Sequence, residues 1–283
     1  MMRDVGCEVA SEGRALLGEG PVWDAAAGRL LWVDIEGGRV HWLAPGGGEG
    51  VLLERSGQVG GFTLQEDGSL LLFEAEGRVT LWREGGERVV VPGLPGLRGS
   101  RFNDVIADAS GRVLAGSMPG ADGRAVLYRL DLDGSLTCLL DDVGLANGMG
   151  FTPDGRHLYF TDTKAGTISR YQYGEDGALG PREEFVSVTE GGFPDGMTVD
   201  AEGCLWSARW AGGMVVRYSP EGSAVGRLAV PAENVTSVAF GGPDLMDLYV
   251  TTAGGDSPAP AGAVFRARPR VAGRAEFRSR VLL

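Results

Sequence analysis

"GGFPDGMTVDAEGCLWSARW", residues 191–210, sets an acid between a proline and a glycine, then an alternating apolar run, an acidic-glycine turn and a second apolar run. Alternation with period two, bounded by turn residues, is the pattern of short antiparallel strands joined as a hairpin. The same pattern returns in "VWDAAAGRLLWVD", "TLQEDGSLLLFEA", "IADASGRVLAGSM" and "FTPDGRHLYFTD". The turn glycines Gly28, Gly68, Gly111, Gly155 and Gly203 stand 40 to 48 residues apart, and a sixth copy, "SVAFGGPDLMDLYVTTA", follows with a longer turn. Six units of this length, each able to supply a small sheet, predict an all-β, six-bladed β-propeller of four-stranded antiparallel blades.

Within the fifth copy, strands are predicted over 196–200, 204–210, 215–219 and 224–230, each followed by Gly, Pro or acidic turn residues. Long amphipathic helical patterns are absent, which disfavours an α/β barrel. Residues 1–283 are expected to form a single domain, with Cys7 to Ala10 supplying an outer strand to the last blade to close the ring. The 48 glycines are scattered along the chain, as turn punctuation requires.

Composition narrows the function. A net charge of -12 argues against nucleic acid and against an anionic membrane surface, and leaves small molecules or cations as partners. No apolar run approaches the roughly 18 residues of a spanning helix, and "MMRDVGCEVASEGR" lacks the apolar core of a signal peptide. A cytoplasmic monomer is expected. Cys7, Cys138 and Cys204 are odd in number and lack CxxC spacing, so they are read as buried apolar thiols.

The repeats can be compared in register. Eight residues before the turn glycine stand Gly60, Asn103, Asn147 and Asp195 in copies two to five. The first turn, "DAAAG", is one residue longer, and the matching position is Glu19. Four of six copies thus carry a side-chain oxygen at one position, just ahead of the innermost strand. Innermost strands surround the channel of a propeller, so these four oxygens converge on one axis. Two carboxylates in so confined a space repel unless one is protonated or a cation lies between them. Oxygen-only donors suit a hard divalent ion. For any one such residue, ordinary turn chemistry is the plain alternative; coincidence across four copies is not.

Other motifs carry less. "DLDGSL" at Asp131 has its glycine in fourth place, not the sixth that an EF-hand needs, and is read as a hairpin turn. There is no GxSxG, HExxH or P-loop, and His41 and His157 lie inside strand patterns. "AGGDSPAPAG", residues 253–262, is read as a flexible rim loop or a lid.

Taken in order, "LGEGPVWD", "LLWVDIEGGRVHWL", "GSRFNDVIAD", "GLANGMGFTPDGRHLYFTDT", "FPDGMTVDAEGCLW" and "AFGGPDLMDLYVTTA" resemble the family of regucalcin (senescence marker protein) and the gluconolactonase-like sugar lactonases. The resemblance runs from about residue 7 to the C-terminus. It implies a six-bladed propeller with one divalent cation near the channel mouth (calcium, zinc, manganese, magnesium or iron) and hydrolysis of aldonolactones. It further implies that Glu19, Asn147 and Asp195 hold the metal, that Asp195 also acts as general base, and that Arg101 and Asn103 hold substrate hydroxyls. The plain alternative for Arg101 is a surface arginine paired with Asp104 or a neighbouring acid. One departure stands out: "GSMPGADGRA" is shorter than the family's substrate loop, and Asp122 is no secure replacement for its acidic contact. Two rival functions share the same residues, a non-catalytic cation-binding propeller and an esterase or phosphotriesterase.

Overall fold

The computed structural model describes residues 6–283, so the first five residues lie outside it. Six four-stranded antiparallel sheets follow one another around an axis. Their innermost strands are Gly18–Asp24, Val59–Leu64, Phe102–Ala107, Ala146–Phe151, Phe193–Val199 and Val235–Gly241. Each touches the next in an unbroken ring. The predicted six-bladed propeller is the observed fold.

Burial explains why each strand sits where it does. The innermost strands at Val59–Leu64, Ala146–Phe151 and Val235–Gly241 are buried throughout. The outermost strands Leu136–Val143 and Leu179–Ser187 are largely exposed and turn Asp141, Asp142, Arg182, Glu183 and Glu184 to solvent. Cys138 lies on such an outer strand and is exposed, which corrects the reading of all three thiols as buried; Cys204 is buried and Cys7 half-buried. Apolar residues gather into six clusters, one between each pair of neighbouring blades, as in the cluster of Leu31 and Val33 with Phe62 and Leu64.

Ring closure takes the expected form. Glu8–Ser11 pairs antiparallel with Val264–Ala267 and completes the sixth blade from the other end of the chain. The turn at Asp131 is a hairpin turn, closed by Asp131 N–H donating to Ser135 O at 2.8 Å. Among the described residues no helix is long and apolar enough to cross a membrane.

A second closure has no signal in the repeat pattern. Residues 272–282 run across the face opposite the channel mouth and bond to every blade. Ala201 N–H donates to Ala272 O at 2.9 Å, Gly273 N–H to Leu245 O at 2.7 Å, and Arg274 Nη1 to Thr152 O at 3.3 Å. Arg278 Nη2 reaches Asp24 Oδ1 at 2.8 Å, while Ser279 N–H donates to Leu64 O at 2.9 Å and Arg280 N–H to Gly111 O at 2.8 Å. The fully buried Gln65 completes the seam like a short piece of strand: its Nε2 donates to Val281 O at 3.0 Å and its Oε1 accepts Val281 N–H at 2.8 Å. Gln65→Leu strands both groups of Val281 away from water. It is expected to cost about 1–3 kcal/mol in chemical denaturation, whereas Gln58→Leu, at a half-buried residue whose side chain bonds only the exposed Glu36, should cost less.

Candidate functional site

Every innermost strand breaks register with its neighbour within its first residues: after Glu19, Val59, Phe102, Asn147, Pro194 and Val235. A bulge of this kind bends the strand and re-aims a side chain. Glu19, Gly60, Asn103, Asn147 and Asp195 lie at these breaks, so the shared position falls inside the innermost strand. The sequence reading placed it just before the strand, because the bulge interrupts alternation. Thr236 takes the position in the sixth blade. Gly60 is held there by space, since a Cβ would stand 1.9 Å from Phe102 O. A Cβ on Gly148 would likewise stand 2.3 Å from Asp195 O.

Two aspartates at the ends of second strands fasten the segments that lead into the site. Asp34 accepts Leu16 N–H at 3.1 Å and Leu17 N–H at 3.0 Å, just ahead of Glu19. Asp162 accepts Gly144 N–H at 2.8 Å and Leu145 N–H at 3.1 Å, just ahead of Asn147. Loop 253–262, expected to be a flexible rim or a lid, is tied to the same entry: Ala15 N–H donates to Gly262 O at 2.9 Å, and Gly254 and Gly255 both donate to Leu16 O at 3.1 Å.

The site itself is acidic and largely buried. Asp195 and Asn147 are buried and Glu19 is half-buried. The Asp195 carboxyl is held well above the usual carboxylate range, first by burial and then by the charges of Glu19 and Asp104. Its Oδ1 is buried without a hydrogen-bond partner. Glu19 is pushed up to about 8, mainly by burial and next by Asp104; the Gly20 N–H at 3.0 Å and the charge of Arg101 oppose the rise. Asp104 is pushed up to about 7, chiefly by burial, with Glu276 adding to it. Glu276 comes from the C-terminal tail and, with Phe277, lines the far end of the axial cavity that begins at Glu19 and Asn103.

These residues fit a divalent cation. Two carboxylates with raised pKa values, Asp195 pushed up in part by the charge of Glu19 and carrying an unpartnered buried oxygen, are stabilised by a positive charge between them. No trio of His, Cys, Asp or Glu gathers as a metal cluster among the described residues. A site here therefore depends on the amide of Asn147 beside the two acids.

Arg101 is buried, not a surface residue, and forms no ion pair with Asp104 among the described residues. Its Nη1 donates to Phe102 O at 3.0 Å and to Asn103 Oδ1 at 2.5 Å. Asn103 Nδ2 in turn donates to Ala146 O at 2.9 Å, so Arg101 occupies the amide oxygen of Asn103. Asn103 thus lines the same cavity as Glu19, but its amide oxygen is engaged by Arg101. Burial lowers the Arg101 pKa, and the charges of Glu36, Glu19 and Asp195 counter it. Glu36 was missed in the sequence. It is an exposed acid in the turn after the strand Arg29–Asp34, and Gln58 Nε2 donates to it at 2.9 Å. The signal was available in "DIEGGR", where an acid follows the end of a second strand. Asp122 is exposed and accepts the Arg124 N–H of its own turn at 3.1 Å.

The fold and site define a class: six-bladed propellers that gather carboxylate and amide side chains at one mouth of the axial channel. Within that class, the chain belongs to the SMP-30/gluconolactonase/LRE-like family, which matches residues 17–254. It is 49% identical over 280 residues to a pentonolactonase of Haloferax volcanii, covering 94% of this chain and 96% of that one. It is 37% identical to a 6-deoxy-6-sulfogluconolactonase of Pseudomonas putida, over 93% of this chain and 94% of the relative. The crystal structure of a calcium-binding regucalcin from Agrobacterium tumefaciens superposes with a TM-score of 0.91 at 30% identity, covering 98% of both chains.

The raised carboxyl groups give a pH dependence whose sign is fixed. Glu19 and Asp104 rise from ordinary values of 4.5 and 3.8 to about 8 and about 7, so the folded chain keeps protons that the unfolded chain releases. The associated stability is present below those ordinary values and is lost as pH climbs through the folded ones. The thermal midpoint of the chelator-treated chain is expected to drop by on the order of 5 °C between about pH 5.5 and pH 8.5. In Glu19→Gln the drop should be smaller.

Proposed function

We propose that this protein is a metal-dependent hydrolase that opens a sugar lactone to its sugar acid. The observation that carries the reading is the convergence of Glu19, Asn147 and Asp195 at the channel mouth, with Asp195 Oδ1 buried and unpartnered. The names of the lactonase relatives support the substrate class. Glu19, Asn147 and Asp195 would hold one divalent cation: calcium, zinc, manganese, magnesium or iron. Such an ion supplies polarisation of the lactone carbonyl and a lowered pKa for water.

Lactone opening adds water across a cyclic ester. A C–O bond forms at the carbonyl, the ring C–O bond breaks, and the products are a hydroxyl and an acid that releases its proton at neutral pH. Asp195, which would be ionised beside the cation, takes the proton of the attacking water. Arg101 donates to ring hydroxyls or to the developing carboxylate, and Asn103 holds it in place through the 2.5 Å contact. Glu36 and Gln58 add polar contacts on the same side of the mouth.

A cation-binding protein without catalysis would keep the three ligands and would have less use for a buried Arg101 beside them. For the esterase reading one observation speaks in favour. The channel wall past the site carries a set of apolar side chains, Val22, Ile106, Met149, Met197 and Val238, beside the polar Thr63, Asp104 and Ser237. A substrate at the ligands meets the polar mouth first, which favours a polyhydroxylated ring.

The test is proton release from xylono-, arabino-, glucono- and galactonolactone by the chelator-stripped chain with each cation restored. Five-carbon lactones are expected to rank first, after the 49% identical pentonolactonase. Asp195→Asn should lower turnover by about 100-fold or more. Arg101→Ala should raise KM by about tenfold, with kcat changed far less. Cation binding without proton release above the spontaneous rate would leave the binding protein or the esterase as the function.

A further inference from the structure

The residues immediately before Glu19, Asn147 and Asp195 share a feature. Each has its backbone carbonyl bonded by a polar side chain of the preceding blade. Thr236 Oγ1 donates to Gly18 O at 2.5 Å, Asn103 Nδ2 to Ala146 O at 2.9 Å, and Thr163 Oγ1 to Pro194 O at 2.8 Å. Three latches therefore join blades six to one, three to four and four to five, at the strand entrances that carry the three candidate ligands.

The third latch also decides an orientation. A carbonyl only accepts, so the one proton of the Thr163 hydroxyl is committed to Pro194 O. Toward any other neighbour, Thr163 Oγ1 can then only accept. Its other neighbour is Asn147 Nδ2, at 3.1 Å. The Asn147 side chain must therefore turn its NH2 group to Thr163 and leave Oδ1 free. A cation binds the amide oxygen and not the NH2 group, so the wrong rotamer of Asn147 would present two N–H dipoles to it.

We infer that Thr163 is a positioning residue for the cation site, acting through Asn147 and through the strand entrance that bears Asp195. The inference rests on the proposed metal site. Thr163 is a half-buried turn residue that touches neither the axis nor the substrate-facing Arg101, and the register of the repeats does not mark it. Removal of groups that orient a metal ligand commonly weakens binding by 10–100-fold.

The experiment compares Thr163→Val, which keeps the shape and removes the hydroxyl, with Thr163→Ser, which keeps the hydroxyl and removes the methyl. Each chelator-stripped chain is titrated with Mn²⁺ and with Ca²⁺ by calorimetry, and its metal-free thermal midpoint is recorded. Thr163→Val is expected to weaken cation binding by about tenfold or more, Thr163→Ser by less than about twofold, with metal-free midpoints close to that of the parent chain. If Thr163→Val does not fold, Thr163→Ala carries the comparison, since the site lies in a half-buried turn. Equal cation affinity in Thr163→Val and the parent overturns the inference alone. So does equal weakening in Thr163→Val and Thr163→Ser, which would assign the effect to disturbed packing of the turn and not to the hydroxyl. A parent chain that takes up neither cation overturns the metal site, and the inference with it.

Discussion

Two carboxylates, Glu19 and Asp195, are held together away from bulk water, and charge in that setting is costly unless it is neutralised or paired. Residues free to move would simply swing apart into solvent. The structure prevents that by building each one into the bulged start of an innermost strand, where neighbouring backbone closes in. At Gly60 and Gly148 the approach is so tight that no side chain fits, and the two absent side chains are what let the blades meet there. The repulsion that remains is stored at the mouth as raised pKa values, ready to be relieved by a cation.

The rest of the molecule makes such confinement possible by leaving the ring no loose end. The sixth blade takes one strand from the start of the chain, so the first and last blades cannot drift apart without breaking a sheet. The tail then crosses the opposite face and bonds to all six blades, with Gln65 serving as a stretch of strand for Val281. Apolar clusters between blades supply the bulk of the cohesion, and these polar seams fix the angles between them. Convergence of six strand entrances on one axis demands both, because a small tilt in any blade would be felt at the mouth. Tail and site even share an axis: Glu276 stands at the far end of the cavity and adds its charge to that of Asp104.

Much of this was legible in the chain. The spacing of Gly28, Gly68, Gly111, Gly155 and Gly203 is a count of blades, and the position eight residues earlier singles out Asn103, Asn147 and Asp195 without any geometry. Glu19 required one correction for a longer turn. Separating Asn103 from the other three did not follow from register; it took the 2.5 Å contact with Arg101 to show that its oxygen is engaged. Cys138 was read as buried because cysteine usually is, and it lies exposed because the outermost strand of a blade has one face on solvent. Glu36 could have been marked by the acid that follows a second strand, but only the tertiary structure brings its charge to Arg101 and seats Gln58 against it.

The sequence by itself determined the repeat, the strand pattern within it and the position shared by the oxygen-bearing residues. All of these are periodic, and period is a property of a string. Only the tertiary structure decided which of those oxygens are free, how the tail seals the far face, and that Thr163 governs the amide of Asn147. Those are outcomes of contacts between blades or between the ends of the chain, some more than 200 residues apart, as between Gln65 and Val281. A hydrogen bond across such a separation is set by where two folded units come to rest, and no local pattern records it.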